Sequence, residues 1–391
     1  VSLRRDLTLF FIAAAAFGFG DAVLASIFNN FLDTHFQIDG LRRTLLEIPR
    51  ELPGLLVAFV SAMLAFLPSR RMAALSGFLG FAGLMLLAFL SNTFYMMMPW
   101  LFLYSLGQHL FMPLNQAIGM ELAEKGQAGR RLGQVSALRN ASGIAGSGIV
   151  FLGFQFLSLS YTAAMVIGAI SMLVAMFCFL KMVPDKPHPQ EAHLRLHKEY
   201  RLYYLLAVLF GLRKQIFLTF APWVLVTVFN QPTTMIAKLL TVGGLVGIVI
   251  QPMVGRMIDQ RGERFTLSVE SVLLAFVCAG YALARNLFSA DTAFIVVAVC
   301  FLLDQTLMSF NIARSTYMKK IAMDSSHVTP TLTMAVSLDH VFSISVAVLG
   351  GVLWRHFGYQ SVFVAGLGVT IVNWIVAQRM RGHAAPATAR P

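Results

Sequence analysis

Charge is scarce in this sequence. Asp, Glu, Lys and Arg make up 12% of its 391 residues, against 57% hydrophobic. Soluble domains carry about 25% charge, so a water-exposed globular surface is excluded. Cysteine is rarer still: Cys178, Cys278 and Cys300 all lie inside apolar runs. They are unpaired by spacing and form no metal-ligand pattern, and they read as small packing residues. The motifs of the common enzyme classes are missing as well. No H-E-x-x-H, no G-x-S-x-G and no phosphate-cradling glycine loop with its lysine occurs. The chain thus offers neither hydrolase nor nucleotide-driven machinery, and no cofactor is expected. Long polar sequence is confined to residues 183–201, which hold Pro184, Pro187 and Pro189 and a mixed-charge run.

What is present is apolar and continuous. Roughly 20 apolar residues span a bilayer as a helix, and about twelve such stretches follow one another here. They fall near 7–32, 44–67, 72–91, 94–120, 132–156, 161–182, 203–229, 233–255, 265–284, 290–318, 329–353 and 359–380. The runs do not alternate as barrel strands do, so the expected fold is an all-α polytopic membrane protein. The formal charge of +12 then has a topological explanation. With the N-terminus inside, 20 of the 30 Lys and Arg fall in inner loops and tails, 4 in outer loops (Arg42, Arg43, Arg285, Arg355) and 6 within spans. This is the positive-inside bias. It places both termini in the cytoplasm and removes any need for a nucleic-acid partner.

The polar stretch divides six spans from six, giving an N-terminal bundle 1–182, a linker 183–202, a C-terminal bundle 203–380 and a tail 381–391. The halves repeat one another. Residues 132–140 align without gaps with 332–340, an offset of 200 that sets Arg139 against Asp339; Leu106-Gly-Gln108 aligns with Leu303-Asp-Gln305 at 197. Span five thus matches span eleven, and span four matches span ten, as an internal repeat demands.

Residues 255–264 read G-x-x-x-D-x-x-G-x-R, with Gly255, Asp259, Gly262 and Arg264 at the fixed places. This charged turn resembles the loop signature of the major facilitator superfamily of secondary transporters. Gln260 and Glu263 stand where that family usually has basic residues. The matching first-half loop, 62–71, has lost both the acid and the second glycine. Gly350 and Gly351 also look like the family's glycine-rich end of helix eleven. Gly143, Gly146 and Gly148 suit close packing in span five, but no proline accompanies them, so the drug-antiporter motif is incomplete. The resemblance implies two pseudo-symmetric six-helix bundles with spans one, four, seven and ten around a central cavity. By the family's symmetry, Asp259 would cap or pair with the start of span five, near Arg130 and Arg131, as part of a gating loop.

Several ionisable or polar groups lie deep in apolar runs, where a charge costs a few kcal/mol, roughly, unless paired or wet. Asp21 lies in span one, Gln108 and His109 in span four, and Arg139 in span five. Arg213 and Lys214 lie in span seven, Asp304 and Gln305 in span ten, Asp339 and His340 in span eleven. A carboxylate in a low-dielectric cavity carries protons, imidazole relays them, and a guanidinium fork holds a carboxylate or phosphate. Neighbouring residues on a helix diverge by about 100°, so Arg213 and Lys214 cannot both face one centre. Glu47, Arg50 and Glu51 read as a charge cluster at the outer interface, and Arg314 and Glu121 as snorkelling side chains. His188, His193 and His197 read as a solvated linker rather than a metal site.

The expected activity is secondary active transport of a small, anionic or zwitterionic solute by alternating access, with protons as coupling ion in symport or antiport. The expected setting is the bacterial inner membrane, with the lipid bilayer and the solute as partners and a monomer sufficing. A proton-driven multidrug or metabolite exporter is the alternative within transport. A non-transporting receptor or assembly factor is the alternative outside it, and would keep its activity without Asp21, Asp304 or Asp339.

Overall fold

A computed structural model describes residues 2–37, 45–185 and 194–380. Arg42 and Arg43, linker residues 186–193 with His188 and His193, and the tail from Arg381 lie outside the described residues. Within them the chain is helical, without strands, because backbone groups in lipid must be satisfied inside each segment. Helices α1 (Ser2–Phe36), α2 (Glu47–Met63), α3 (Ser69–Leu90), α4 (Phe94–Glu121), α5 (Ala128–Phe156) and α6 (Tyr161–Lys181) precede the linker. After it come α7 (Arg201–Thr227), α8 (Thr233–Leu287), α9 (Ala290–Leu307), α10 (Ile312–Ile321), α11 (Val328–Phe357) and α12 (Tyr359–Gln378). Nine stretches among the described residues are long and apolar enough to cross a membrane. Helix α2 has only 17 residues. Helix α4 has 28, but Gln108, His109, Asn115 and Gln116 dilute its apolarity.

Local chemistry sets the helix starts. Thr93 Oγ1 accepts the Met96 N–H at 3.2 Å ahead of α4, and Ser160 Oγ accepts that of Ala163 at 3.1 Å ahead of α6. Each satisfies an otherwise orphaned donor. Pro68 precedes α3, and Gly358, at φ 79°, separates α11 from α12.

Spans eight and nine are two helices that meet at Gly262, whose backbone (φ 83°, ψ 167°) is not helical. Residues 255–261 are helical rather than looped. A side chain is strained at that φ, so the signature's second glycine marks the bend itself. Span ten, read as continuous, is interrupted by a 3-10 segment, Met308–Asn311, between α9 and α10.

The contacts define two compact units. The first holds residues up to Ala123, Val135–Leu196 and Ala322–Ser337; the second holds Glu124–Gln134, His197–Ile321 and the chain from Leu338. The start of α5 therefore belongs with the second unit and the start of α11 with the first. In the first unit α3 packs on α4 and α6, α1 on α6, and α2 on α4. Its core includes Phe17 stacked on Phe111 at 3.8 Å, with Phe179 edge-on to Phe111 at 6.0 Å. In the second unit α8 packs on α9 and α12, and α7 on α12. There Tyr281 stacks on Phe363 at 4.4 Å and Phe217 meets both edge-on. Lipid tails are as apolar as these side chains, so close packing and polar contacts hold each unit together.

Candidate functional site

In the first unit the buried polar groups converge on Asp21. From mid-α1 its Oδ1 accepts hydrogen bonds from Tyr104 Oη at 3.0 Å and Gln108 Nε2 at 2.9 Å, both on α4. Its Oδ2 lies 3.3 Å from Arg139 Nη2 on α5. Tyr104 and Gln108 are one helical turn apart and also bond each other at 2.9 Å, which fixes the carboxyl plane. The Arg139 guanidinium sits 5.5 Å from the Phe111 ring centre, so the Phe17–Phe111 stack is also its floor. The pair is partly open, with 29% of the Arg139 side chain and 22% of that of Asp21 exposed.

Beside it lies a cavity of about 260 Å³, lined by Asp21, Phe28, Asn29, Arg50, Glu51, Tyr104, Gln108 and His109 among others. His109 Nδ1 lies 2.8 Å from the Ser105 carbonyl oxygen, and Ser105 Oγ donates to the Arg50 carbonyl at 2.7 Å. Arg50 and Glu51, expected at the outer interface, instead share the cavity wall with Asp21. Pro49 and Pro53 flank them on α2, and helix phase decided their direction, which run-reading could not assign.

The second unit carries two ion pairs, and they differ. Arg213 on α7 binds Asp304 on α9 at 2.7 Å with the two side chains only 3% and 2% exposed. Arg213 also contacts Met308 Sδ at 2.8 Å and the Phe217 ring at 5.7 Å. Lys214 pairs with Asp339 on α11, and there 20% and 13% remain exposed. Ser343 Oγ donates to Asp339 Oδ1 at 3.3 Å. A Cβ on Gly211 would overlap Asp339 Oδ1, so only glycine lets that carboxylate approach α7. The adjacent cations thus reach separate partners, as the helical angle requires. Gln305 packs beside Gly243, its side chain making no hydrogen bond among the described residues, and His340 is buried on α11.

The repeat gives these pairs a pattern. Arg139 and Asp339 are equivalent by the offset of 200. Each pairs with the first helix of its own half, Arg139 with Asp21 and Asp339 with Lys214. The two halves therefore hold the same kind of pair with the signs exchanged.

Of the two expected contacts of Asp259, a helix cap or an ion pair, the hydrogen bonds are those of a cap. Asp259 Oδ1 accepts the Gly129 N–H at 2.8 Å and Oδ2 the Arg130 N–H at 2.7 Å. A carboxylate on the first turn of α5 takes two orphaned donors and faces the positive end of the helix dipole. The guanidinium groups turn elsewhere, Arg130 to Gln127 at 3.1 Å and Arg131 to Gln134 at 3.2 Å. The crossing needs small residues: a Cβ on Gly129 would sit 2.6 Å from the Gly255 carbonyl oxygen. Arg264 holds Gln378 Oε1 through two donors at 2.9 and 3.1 Å.

Other polar contacts escaped the sequence. Arg314 does not snorkel: it pairs with Glu270 at 2.9 Å, the two being 4% and 1% exposed, and also bonds Asn373 and the Leu206 carbonyl. Glu121 bonds Arg70 at 2.9 Å. The carboxylate missing from residues 62–71 has a substitute beyond α6, where Asp185 accepts the Ser69 and Arg70 N–H groups at 3.0 and 3.1 Å. Ser337 on α11 bridges one step of α2, accepting from Ala58 N at 3.1 Å and donating to the Gly54 carbonyl at 3.3 Å. Only the offset alignment passed near that serine.

Residues 10–338 match the family model described as Major Facilitator Superfamily. Among solved structures, the transporter FucP in its outward conformation superposes with a TM-score of 0.74 at 13% identity, over 97% of this chain and 99% of that one. A bacterial homologue of the iron transporter ferroportin, outward-facing, gives 0.76 at 12%, over 96% and 99%. The human organic anion transporter MFSD10 gives 0.69 at 14%, over 97% and 100%. At such identities the likeness is one of fold. No curated protein matches the chain significantly.

Proposed function

The chain belongs to the major facilitator superfamily, and from that premise we propose that it is a proton-coupled secondary transporter of a small anionic or zwitterionic solute. Membership makes it a multi-pass membrane transporter; the coupling ion and solute class are argued from its charges. The observation that carries the reading is the Asp21–Arg139 pair, partly open beside a cavity and held by Tyr104 and Gln108. A solute carboxylate or phosphate suits the planar fork of Arg139. Once it takes that fork, Asp21 loses its counter-charge at a depth where an unpaired charge costs a few kcal/mol, roughly. A proton on Asp21 removes the cost, so anion and proton occupy the site together.

Tyr104 and Gln108 steady Oδ1 while Oδ2 gives up its partner. The Lys214–Asp339 pair holds the same two kinds of charge within the second unit, with the signs exchanged. Arg213–Asp304, closed to solvent, is assigned a structural part. Alternating access exposes the pairs to one side at a time, and Asp259 on the first turn of α5 serves as a latch of one state. A bacterial inner membrane, cytoplasmic termini and a functional monomer complete the proposal. FucP, a fucose:proton symporter in E. coli, shows that the fold accommodates such coupling in another protein.

The test is proton movement in proteoliposomes containing an internal pH dye, supplied with pools of organic anions and zwitterions. A pool that moves protons only when the protein is present identifies the solute class. Accumulation of a solute with no proton movement under any pool removes the coupling claim.

A further inference from the structure

A second cavity, of about 360 Å³, lies in the first unit on the seam between α1 and α5. It shares no lining residue with the cavity beside Asp21. Ser147, in its wall, is eight residues beyond Arg139 on α5, about 12 Å of helix rise. The volume lies in the range of small-molecule sites, which begins at about 300 Å³.

The lining carries neither acid nor base. Ser26 and Asn30 come from α1, Ser147, Phe151, Phe154 and Gln155 from α5, and Tyr161 from the start of α6. Ser26 Oγ bonds Ser147 Oγ at 2.9 Å, which ties the two helices together. The carboxamides of Asn30 and Gln155 are exposed and bond nothing among the described residues. Both stand near the ends of their helices, which run to Phe36 and Phe156. Their unbonded N–H and C=O groups leave donors and acceptors for a polar occupant. Phe151 and Phe154, both exposed, and Tyr161 add ring faces.

We propose that this cavity is a binding site for an uncharged organic molecule that combines hydroxyl groups with an apolar face. The amides supply two donors and an acceptor each, and the rings take the apolar face. A charged ligand would lose its hydration with no counter-charge to replace it. The occupant is a soluble glycoside-like solute or the headgroup of a neutral glycolipid, which share that chemistry. The site does not depend on the coupling assigned to Asp21.

The full-length protein in phosphatidylcholine nanodiscs is titrated with radiolabelled phenyl β-D-glucoside, phenyl phosphate and phenyltrimethylammonium. Saturable glucoside binding is expected that neither charged probe displaces, weakened about tenfold or more by Asn30→Ala combined with Gln155→Leu. Both side chains are exposed and unbonded, so this variant keeps its thermal midpoint. Asp21→Asn leaves the binding unchanged, which separates this site from the ion pair. Repeating the titration with a monoglucosyl diacylglycerol in the disc names the source: competition assigns the glycolipid, and its absence the soluble solute. No saturable glucoside binding means a hydrated notch and overturns the proposal. So does displacement of the glucoside by either charged probe, or undiminished glucoside binding in the double variant.

Discussion

Replacing Asp259 by asparagine changes one atom and, on this account, unfastens the start of α5. The carboxylate accepts from Gly129 and Arg130 N–H groups at 2.8 and 2.7 Å, one per oxygen. An amide keeps one acceptor and turns an NH2 toward the other donor. One charge-assisted bond is lost, and so is the attraction of a full negative charge to the helix N-terminus. Together these amount to about 1–3 kcal/mol, or roughly a 5- to 150-fold change in the opening equilibrium of that turn. Hydrogen–deuterium exchange in nanodiscs reads this directly. The peptide covering residues 128–134 is expected to exchange faster by a factor in that range, while peptides from α3 and α6 hold their rates. Gly129→Ala gives an independent second perturbation. Its Cβ, 2.6 Å from the Gly255 carbonyl oxygen, forces the crossing apart and accelerates the same peptide with Asp259 intact. Unchanged exchange in both variants would refute the latch.

Three further outcomes follow from the pairs and bridges. Asp304→Ala strands Arg213 in a site closed to solvent and is expected to cost about 3–5 kcal/mol. The thermal midpoint in detergent falls steeply, whereas Arg213→Met with Asp304→Leu restores much of it; equal loss in both would contradict a structural pair. Gly211→Ala places a methyl on Asp339 Oδ1, so solute uptake drops to the level of Asp339→Asn, and wild-type uptake would show that the Lys214 pair is dispensable. Ser337→Ala removes a buried hydroxyl that bridges Gly54 and Ala58, and the expected loss is about 1–2 kcal/mol. It appears as faster exchange confined to α2 and the start of α11, and uniform protection would argue against the bridge.

The sequence was most readable where lipid dictates the answer. Continuous apolar runs located the helices to within a few residues, because hydrocarbon leaves the backbone no other satisfied form. Runs locate helices without describing their interruptions. The bend at Gly262 and the 3-10 segment after Asp304 depend on backbone conformation, which no hydropathy pattern encodes. Depth alone singled out Asp21, Arg139, Lys214 and Asp339, since charge there demands an explanation. It could not match each to its partner, 118 residues away for Asp21 and 125 for Lys214. Tyr104 was missed because a tyrosine in an apolar run is unremarked until an acceptor lies beside it. Glu270 and Arg314 were missed, or read as surface-seeking, for the related reason that a buried pair looks like two isolated charges in one dimension. Asp185 shows the same limit at the linker, where a carboxylate beyond α6 takes the place of an acid absent from residues 62–71.

The central claim is that Asp21 carries the proton that Arg139 gives up to the solute. The direct measurement compares solute-driven proton movement with solute exchange in proteoliposomes bearing Asp21→Asn, using the solute found with the wild type. The account predicts that proton movement disappears while exchange across the membrane continues. Proton movement at the wild-type rate in that variant would contradict it.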